Sequence, residues 1–281
     1  MPLVNQTPGR GLLAVGGPAF GGRPAATQTT SAALRGCDGF GDINFRDLPG
    51  SRREVLEISK FWPALGADDA MVLSGAAATE GAVKQNLRGR RIVHFATHGF
   101  FLGGDCSPGA VGSRSVGGLI KVTPGKASAT TAATVAENPL LLAGLAFAGA
   151  NRRRSVRGDE DDGILTAEEI GGLNLQGTEW AVLSACDTGL GEIKAGEGVF
   201  GLRRAFQVAG ARTVIMSLWS VEDRSAMEWM RALYEGRLRR GLDTAEAVRE
   251  ASLSVLRQRR ARGQSTHPFY WAGFVASGDW R

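Results

Sequence analysis

The stretch TEWAVLSACDTGLGE, residues 178–192, places a cysteine where an apolar run stops and the chain must turn. The apolar residues Trp180 to Leu183 are typical of a buried strand, predicted over 178–186 with Cys186 as its last residue. A structural cysteine would lie inside the run, whereas a cysteine at the end of a strand can be reached by a reaction partner. The position therefore raises the question of what, elsewhere in the chain, would activate this thiol.

A second apolar run, RIVHFATHG at 91–99, ends in the same way, with His98 followed by Gly99. Apolar strands alternate with helical patterns along the chain, which predicts an α/β fold with a mostly parallel sheet covered on both faces. Ligands bind outside the carboxyl ends of such strands. If the two strands are neighbours, the His98 imidazole can take the proton of the Cys186 thiol, and the backbone N–H groups of Gly99 and Cys186 can bind an oxyanion.

Other roles for these side chains compete with that hypothesis. A lone cysteine at a strand end is often a small core residue, and a lone histidine is often structural. His94 is the competing base, but it lies four residues inside the strand and is the better structural histidine. The segment HFATH lacks the glutamate of HExxH and lies on a strand, which excludes a zinc-protease helix. His267, beside Pro268, is expected at the surface.

Capping signals predict where several helices begin. Ser51 with Glu54, and Thr166 with Glu169, match the capping box, and Thr79 is a third N-cap. The predicted helices cover 48–62, 78–87, 166–173, 197–210, 222–240 and 243–262. The predicted strands cover 12–17, 71–75, 91–99, 178–186, 212–221 and 269–278.

Two segments have no clear period. Residues 139–150 are expected to be a buried element of uncertain type, and residues 103–137, rich in Gly, Ser and Thr, are expected to be a mobile insertion. The acidic segment GDEDDGILTAEE at 158–169 imitates a calcium loop, but Gly158 stands where an aspartate is required. A solvated acidic loop that leads into a capped helix is the better interpretation, although calcium binding stays open as an alternative.

Composition bounds the class of protein. The 281 residues are 43% hydrophobic and 22% charged, as in ordinary globular proteins, and the net charge of +5 comes mostly from arginine. The arginine clusters at 152–154 and 257–262 lack interleaved aromatics, so a solvated surface is favoured over direct nucleic-acid binding. No phosphate-binding glycine motif occurs, and the longest apolar stretch, 139–150, is too short to span a membrane.

Three cysteines, Cys37, Cys106 and Cys186, are too few and too scattered for a disulfide framework or a zinc site. We therefore expect a cytoplasmic protein without a metal or cofactor and without a membrane partner. Residues 1–10 are expected to be a disordered edge, and residues 11–281 one domain.

In order along the chain, several segments resemble the CHAT-domain family of bacterial caspase relatives. They are LPGSRREV, ATEGAV, IVHFATHGFF, NPLLLAGLAFAGA, DGILTAEEI, LNLQGTEWAVLSACDTGLGEIKAGEGVFGLRRAFQVAGARTVIMSLWSVED and HPFYWAGFVASGD. The resemblance implies a caspase-like three-layer α/β/α sandwich and a cysteine peptidase that hydrolyses peptide bonds of a protein substrate. It also implies that His98 and Cys186 form the catalytic dyad.

The resemblance further implies where the substrate lies. The strand VIMSLW at 214–219 is similar to the caspase strand that pairs with the substrate backbone, so that Ser217 and Trp219 would flank the substrate. Candidates for the pocket that binds the P1 residue are Ser184, the carboxylates of Asp187 and Asp223, and Glu222 beside Asp223. An acidic residue there would favour Arg or Lys at P1.

Two departures from the caspases stand out. The chain lacks the caspase block QAC[RQG]G, so cleavage after Asp is not implied, and His98 lies further from Cys186 than the ~50 residues of caspases. CHAT domains often follow TPR repeats, so a regulatory partner or sensor of that kind is expected. The alternative is a catalytically latent interaction or scaffold module with a caspase fold.

Overall fold

The structure, a computed structural model, describes residues 7–21, 44–62, 70–101, 140, 143–156, 161–184, 197–219 and 221–280. In this part of the chain a six-stranded sheet lies between two layers of helices. The predicted α/β class and its three-layer arrangement are confirmed. The insertion expected at 103–137, and with it Cys106, lies outside the described residues, as does Cys37.

The strands are β1 Arg10–Pro18, β2 Ala70–Gly75, β3 Arg90–Ala96, β4 Gly99–Phe101, β5 Ala143–Ala146, β6 Ile164–Thr166, β7 Trp180–Leu183, β8 Thr213–Ser217 and β9 Phe274–Gly278. The α-helices are α1 Pro49–Ser59, α2 Glu80–Asn86, α3 Ala167–Gly172, α4 Glu197–Ala209, α5 Asp223–Tyr234 and α6 Thr244–Ala261. A π-turn, Glu235–Arg239, extends α5, and 3₁₀ turns lie at Ala150–Ser155 and Pro268–Tyr270.

The central sheet has the strand order β2-β1-β3-β7-β8-β9, and only β9 is antiparallel to its neighbour. Alternate side chains of each strand point to opposite faces, so each face has its own apolar core. Val93 and Phe95 pack with α3 and α4 on one face, whereas Ile92 packs with α1, α5 and α6 on the other. The near-continuous apolar strands are the consequence of burial on both sides.

A small antiparallel sheet, β4-β5-β6, continues from the end of β3. The N–H of Ala146 in β5 donates to the His98 carbonyl at 2.9 Å, which fixes the chain where it leaves the central sheet. The segment 139–150, whose type the sequence left open, is described at 140 and from 143 onward, where it forms β5 and then enters the first 3₁₀ turn. This places the small sheet directly beside His98.

Two of the three predicted caps are confirmed. The Thr79 and Thr166 side chains accept from backbone N–H groups of α2 and α3, and Glu169 completes the capping box with Thr166. The capping box at Ser51 is wrong, because α1 begins after Leu48 with Pro49 at its first position. The Ser51 hydroxyl accepts from the Gly17 N–H at 2.8 Å instead.

The first and last strands begin at other residues than predicted. β1 was predicted from 12 but begins at Arg10, and the N–H of Gly9 before it donates to the Gly177 carbonyl at 2.9 Å. The last strand was predicted from 269 but begins at Phe274, because Pro268 starts a 3₁₀ turn in which the His267 side chain accepts from the N–H of Phe269.

No helix in the described part of the chain is long and apolar enough to cross a membrane.

Candidate active site

The strands that lead to His98 and Cys186 are neighbours in the central sheet. β3 and β7 run parallel with Phe95 opposite Leu183, and the N–H of Ser184 donates to the Phe95 carbonyl at 2.9 Å. The condition that the sequence set for the dyad, that these two strands be adjacent, is thus met. Cys186 and Asp187 themselves lie outside the described residues, so the dyad stays a prediction.

His98 lies at this edge with 5% of its surface exposed. Its Nε2 is 2.7 Å from the carbonyl oxygen of Arg46, in the segment that precedes α1. A carbonyl oxygen can only accept, so Nε2 carries a proton, and in the neutral imidazole Nδ1 is then the ring nitrogen with the lone pair. In this tautomer the imidazole is oriented as a base at Nδ1.

Aromatic rings fix the plane of that imidazole. The Phe20 ring centroid lies 5.2 Å from the His98 ring and the Phe45 centroid 5.6 Å from it, both tilted against it. The two phenylalanines belong to a small apolar cluster next to the β4-β5-β6 sheet. Their apolar walls limit the positions that the ring can occupy.

His94 has the structural role predicted for it. It is fully buried, with Nε2 2.8 Å from the Glu54 carboxylate of α1 and Nδ1 3.0 Å from the Tyr234 hydroxyl of α5. Glu54, expected in a capping box with Ser51, takes part in this hydrogen bond instead. His267 is exposed, as expected.

The substrate side differs from expectation in one respect. β8 pairs with β7 on one edge and with β9 on the other, so residues 213–216 have no edge open to a peptide. The pairing of β7 with β8 ends with Leu183 opposite Met216. The prediction that the substrate backbone pairs along 214–219 is therefore corrected, because residues 214–216 lie inside the sheet. Any backbone pairing on that edge is confined to residues beyond Met216.

The remaining candidate residues lie near that end of β8. Ser217 is 8% exposed and faces Phe274 of β9 in the sheet register. Trp219 donates its indole N–H to the Phe269 carbonyl at 2.9 Å and stacks on the Phe269 ring. Ser184 is half-buried at the end of β7. Their contact with substrate stays a prediction.

Of the two acidic candidates at the start of α5, the structure describes the side chain of Glu222 and not that of Asp223. Glu222 contacts the Ser225 hydroxyl at 3.2 Å and Arg259 at 3.7 Å, so its carboxylate already serves the start of α5 and the buried guanidinium of α6. Asp223 is the first residue of α5, and its side chain is outside the described part. Gly99 begins β4 opposite Leu145, and its role as an oxyanion donor is likewise not tested.

Two carboxylates of the calcium-like segment, those of Asp161 and Glu169, lie beside a lysine. The Lys84 ammonium lies 2.5 Å from Glu80, 2.9 Å from Glu169 and 3.3 Å from Asp161. Asp162 accepts from the N–H of Ile164. Among the described residues no group of three or more His, Cys, Asp or Glu side chains could hold a metal ion.

Sequence reasoning missed the Arg46 carbonyl and the aromatic walls from Phe20 and Phe45. A backbone carbonyl is present at every residue, so no residue type marks it. The segment that carries Arg46 is distant in sequence, with 52 positions between the two partners of the hydrogen bond. Only the fold brings it to His98.

Comparison with known proteins adds three findings. The family model described as CHAT domain matches residues 3–279. Tetratricopeptide repeat protein 28 of Homo sapiens is 34% identical over 116 residues, and its counterpart in Mus musculus is 33% identical over 116 residues. These matches cover 41% of this chain but 4% of each relative, so the chain spans a small part of their length.

Among solved structures, the crystal structure of the Arg-specific cysteine proteinase gingipain R is similar with a TM-score of 0.49 and 10% identity. The match covers 96% of this chain and 45% of that chain. A likeness of this size carries no conclusion about activity.

Proposed function

This chain belongs to the CHAT-domain family, and on that premise we propose that it is a caspase-like cysteine endopeptidase with His98 and Cys186 as its catalytic dyad. The observation that carries the proposal is the tautomer of His98, whose Nε2 proton points to the Arg46 carbonyl and whose Nδ1 is thereby a base. The adjacency of β3 and β7 supports it, because the carboxyl ends of both strands meet at one edge of the sheet.

The chemistry follows from these positions. Nδ1 of His98 takes the proton of the Cys186 thiol, and the thiolate attacks the carbonyl carbon of the scissile peptide bond. The N–H groups of Gly99 and Cys186 donate to the resulting oxyanion, at ~3 kcal/mol of transition-state stabilisation for each donor. When the C–N bond breaks, the His98 imidazolium protonates the leaving amine, and water then hydrolyses the thioester with His98 again as base.

The substrate backbone is proposed to lie beside residues 217–219, where the β7 pairing of β8 has ended. Ser217 and Trp219 then flank the peptide, and Trp219 offers an aromatic face supported by Phe269, which is 46% exposed. Ser184, Asp187 and Asp223 are proposed around the P1 residue. If either aspartate faces that pocket, Arg or Lys is preferred at P1.

A non-catalytic interaction module is the second candidate, and the names of the curated relatives favour it. Both are tetratricopeptide repeat proteins, which is compatible with a repeat-type partner or sensor for this domain. A latent peptidase that becomes active when it binds such a partner would combine the peptidase function with the interaction function.

The first experiment is active-site labelling with peptide acyloxymethyl ketones that carry Arg, Lys, Leu or Asp at P1, read by intact mass. We expect one adduct on the wild-type chain and none on Cys186→Ala or His98→Ala, because a thiolate is needed for the reaction. Cys37→Ala and Cys106→Ala are the matched controls and should label as the wild type does. Adducts that persist in Cys186→Ala, or that vanish in Cys106→Ala, would contradict the proposed dyad.

A further inference from the structure

The side chain of Asn151 uses both of its polar atoms on one residue of a distant segment. Its Oδ1 accepts from the Phe45 N–H at 2.8 Å, and its Nδ2 donates to the Phe45 carbonyl at 2.8 Å. Asn151 lies in the 3₁₀ turn after β5, 106 positions from Phe45 along the chain. An amide that makes this pair of hydrogen bonds fixes both the position and the orientation of the backbone it contacts.

The backbone segment that Asn151 binds, at Phe45 and Arg46, carries groups that orient His98. The Phe45 ring is one wall of the His98 ring, and the next carbonyl in the chain, that of Arg46, accepts from His98 Nε2. Residues 44–48 belong to no helix or strand, so no strand pairing or helical hydrogen bonds fix the Arg46 carbonyl. The Asn151 side chain therefore takes the place that a strand partner would have.

Asn151 is also tied to the second wall of the His98 ring. Its backbone N–H donates to the Phe20 carbonyl at 2.9 Å, and the N–H of Gly149 donates to the Ala19 carbonyl at 3.0 Å. Through its backbone it contacts the segment with Phe20, and through its side chain the segment with Phe45. One residue thus joins the two chain segments between which the imidazole lies.

We propose that Asn151 is a positioning residue for His98: its side-chain amide holds the segment with Phe45 and Arg46 so that the Arg46 carbonyl keeps the proton on Nε2 and leaves Nδ1 as the base. This rests on the proposed function only for its catalytic consequence. Without the amide, the carbonyl is no longer held at His98, and the tautomer with the proton on Nδ1, which cannot accept a proton from Cys186, becomes populated. In this proposal Asn151 acts through His98 and takes no direct part in the reaction.

Two measurements on the full 281-residue chain test this. The chain has three histidines, so ¹⁵N chemical shifts of the imidazoles report the His98 tautomer once its signals are assigned with His98→Ala. We expect Asn151→Ala to lower the population of the Nε2–H tautomer and to reduce the rate of Cys186 labelling about 10- to 100-fold, as small misplacements of catalytic groups do. Asn86→Ala is the matched control, because Asn86 also bonds backbone through its amide, at Ala82 in α2, away from the site.

Asn151→Asp keeps the size of the side chain and the acceptor for the Phe45 N–H but loses the donor to the Phe45 carbonyl. It serves as the second variant if Asn151→Ala does not fold, and the same two changes are expected of it. A folded variant with the wild-type His98 tautomer, or with slow labelling but unchanged His98 shifts, overturns the positioning role. If the wild-type chain does not label at all, the proposed function fails, and the tautomer populations alone still decide the role of Asn151.

Discussion

His94 and His98, four residues apart in one segment, show how a single acceptor changes the use of an imidazole. Both donate from Nε2, but His94 donates to a buried carboxylate, Glu54, and has its Nδ1 occupied by the Tyr234 hydroxyl. His98 donates to a neutral backbone carbonyl at the sheet edge. The first arrangement satisfies the whole ring inside the core, whereas the second holds the Nε2 proton on a backbone carbonyl at the end of β3.

The Tyr234 hydroxyl is expected to stabilise the fold through His94. Burial, with a smaller effect of the Glu54 charge, raises the pKa of Tyr234 well above its usual value, so the hydroxyl remains a donor at neutral pH. Tyr234→Phe leaves His94 Nδ1 buried without that donor and should lower the free energy of unfolding by about 1–3 kcal/mol, measured by urea denaturation. Tyr270→Phe, at the only other tyrosine, is the control and should change it little, because Tyr270 is half-exposed. Equal effects of the two variants would contradict this role of the hydroxyl.

At the scale of elements, α2 and α3 are joined through charges. Glu80 of α2 is 2% exposed, accepts from the N–H of Gly163 at 3.0 Å, and pairs with Lys84, which also binds Glu169 of α3. Burial raises the pKa of Glu80 to about 7 against the opposing effect of the Lys84 ammonium. Asp161 and Glu169, from the acidic segment that imitates a calcium loop, thus pair with a cation of the chain itself.

This pair predicts a pH dependence of stability. The unfolded chain releases the Glu80 proton near 4.5, whereas the folded chain keeps it until about 7, so the folded state binds more protons between these values. The contribution of Glu80 to the free energy of unfolding must therefore decline as the pH rises from 4.5 to 7. The difference in stability between the wild type and Glu80→Gln, from urea titrations across this range, should fall with pH.

Two neighbouring charged groups, Glu169 and Lys84, do not alter the sign of this pH dependence. Burial opposes the lowering of the pKa of Glu169, but hydrogen bonds with Thr166 and Lys84 outweigh it, so its stabilising contribution is complete above its unfolded value of 4.5 and changes with pH only below that value. Burial also opposes the raising of the pKa of Lys84, but its carboxylate partners outweigh it, so its contribution is complete below its unfolded value of 10.5 and is lost only above that value. Neither changes the slope between 4.5 and 7. A difference that rises with pH in this window would show that the Lys84 attraction outweighs the burial of Glu80.

At the scale of the whole molecule, β9 covers the edge of β8 that would otherwise be exposed. It pairs along the whole of β8, from Thr213 opposite Gly278 to Ser217 opposite Phe274, and the Phe274 ring stacks on Trp229 of α5 at 4.5 Å. The chain thereby returns to the sheet as its edge strand after passing through α5 and α6. An uncovered β8 would be an apolar strand with free N–H and carbonyl groups.

Removal of residues 274–281 is therefore expected to abolish the cooperative thermal transition and to cause self-association. Circular dichroism and size-exclusion chromatography measure these effects, and removal of Arg281 alone is the control that keeps β9. A truncated chain that remains monomeric with an unchanged melting temperature would show that β9 is dispensable for the sheet.

The sequence alone determined the class of the fold and the places where chemistry is expected. Near-continuous apolar runs, separated by helices, predict a mostly parallel sheet, and the position of His98 at the end of such a run can be seen in the sequence. Thr79 and Thr166 were recognised as caps because their partners lie only three residues away. Such local patterns need no knowledge of distant contacts.

Only the tertiary structure decided which groups surround His98 and what Glu54 does. Ser51 and Glu54 have the spacing of a capping box, yet Pro49 begins the helix earlier and the buried His94 takes the carboxylate. The interior position of β8 depends on β9, which joins the sheet only after two intervening helices. The Arg46 carbonyl lies 52 positions from His98 along the chain, and a backbone carbonyl is not marked by any residue type. The Asn151 side-chain amide lies 106 positions from Phe45, so only the fold brings these groups together.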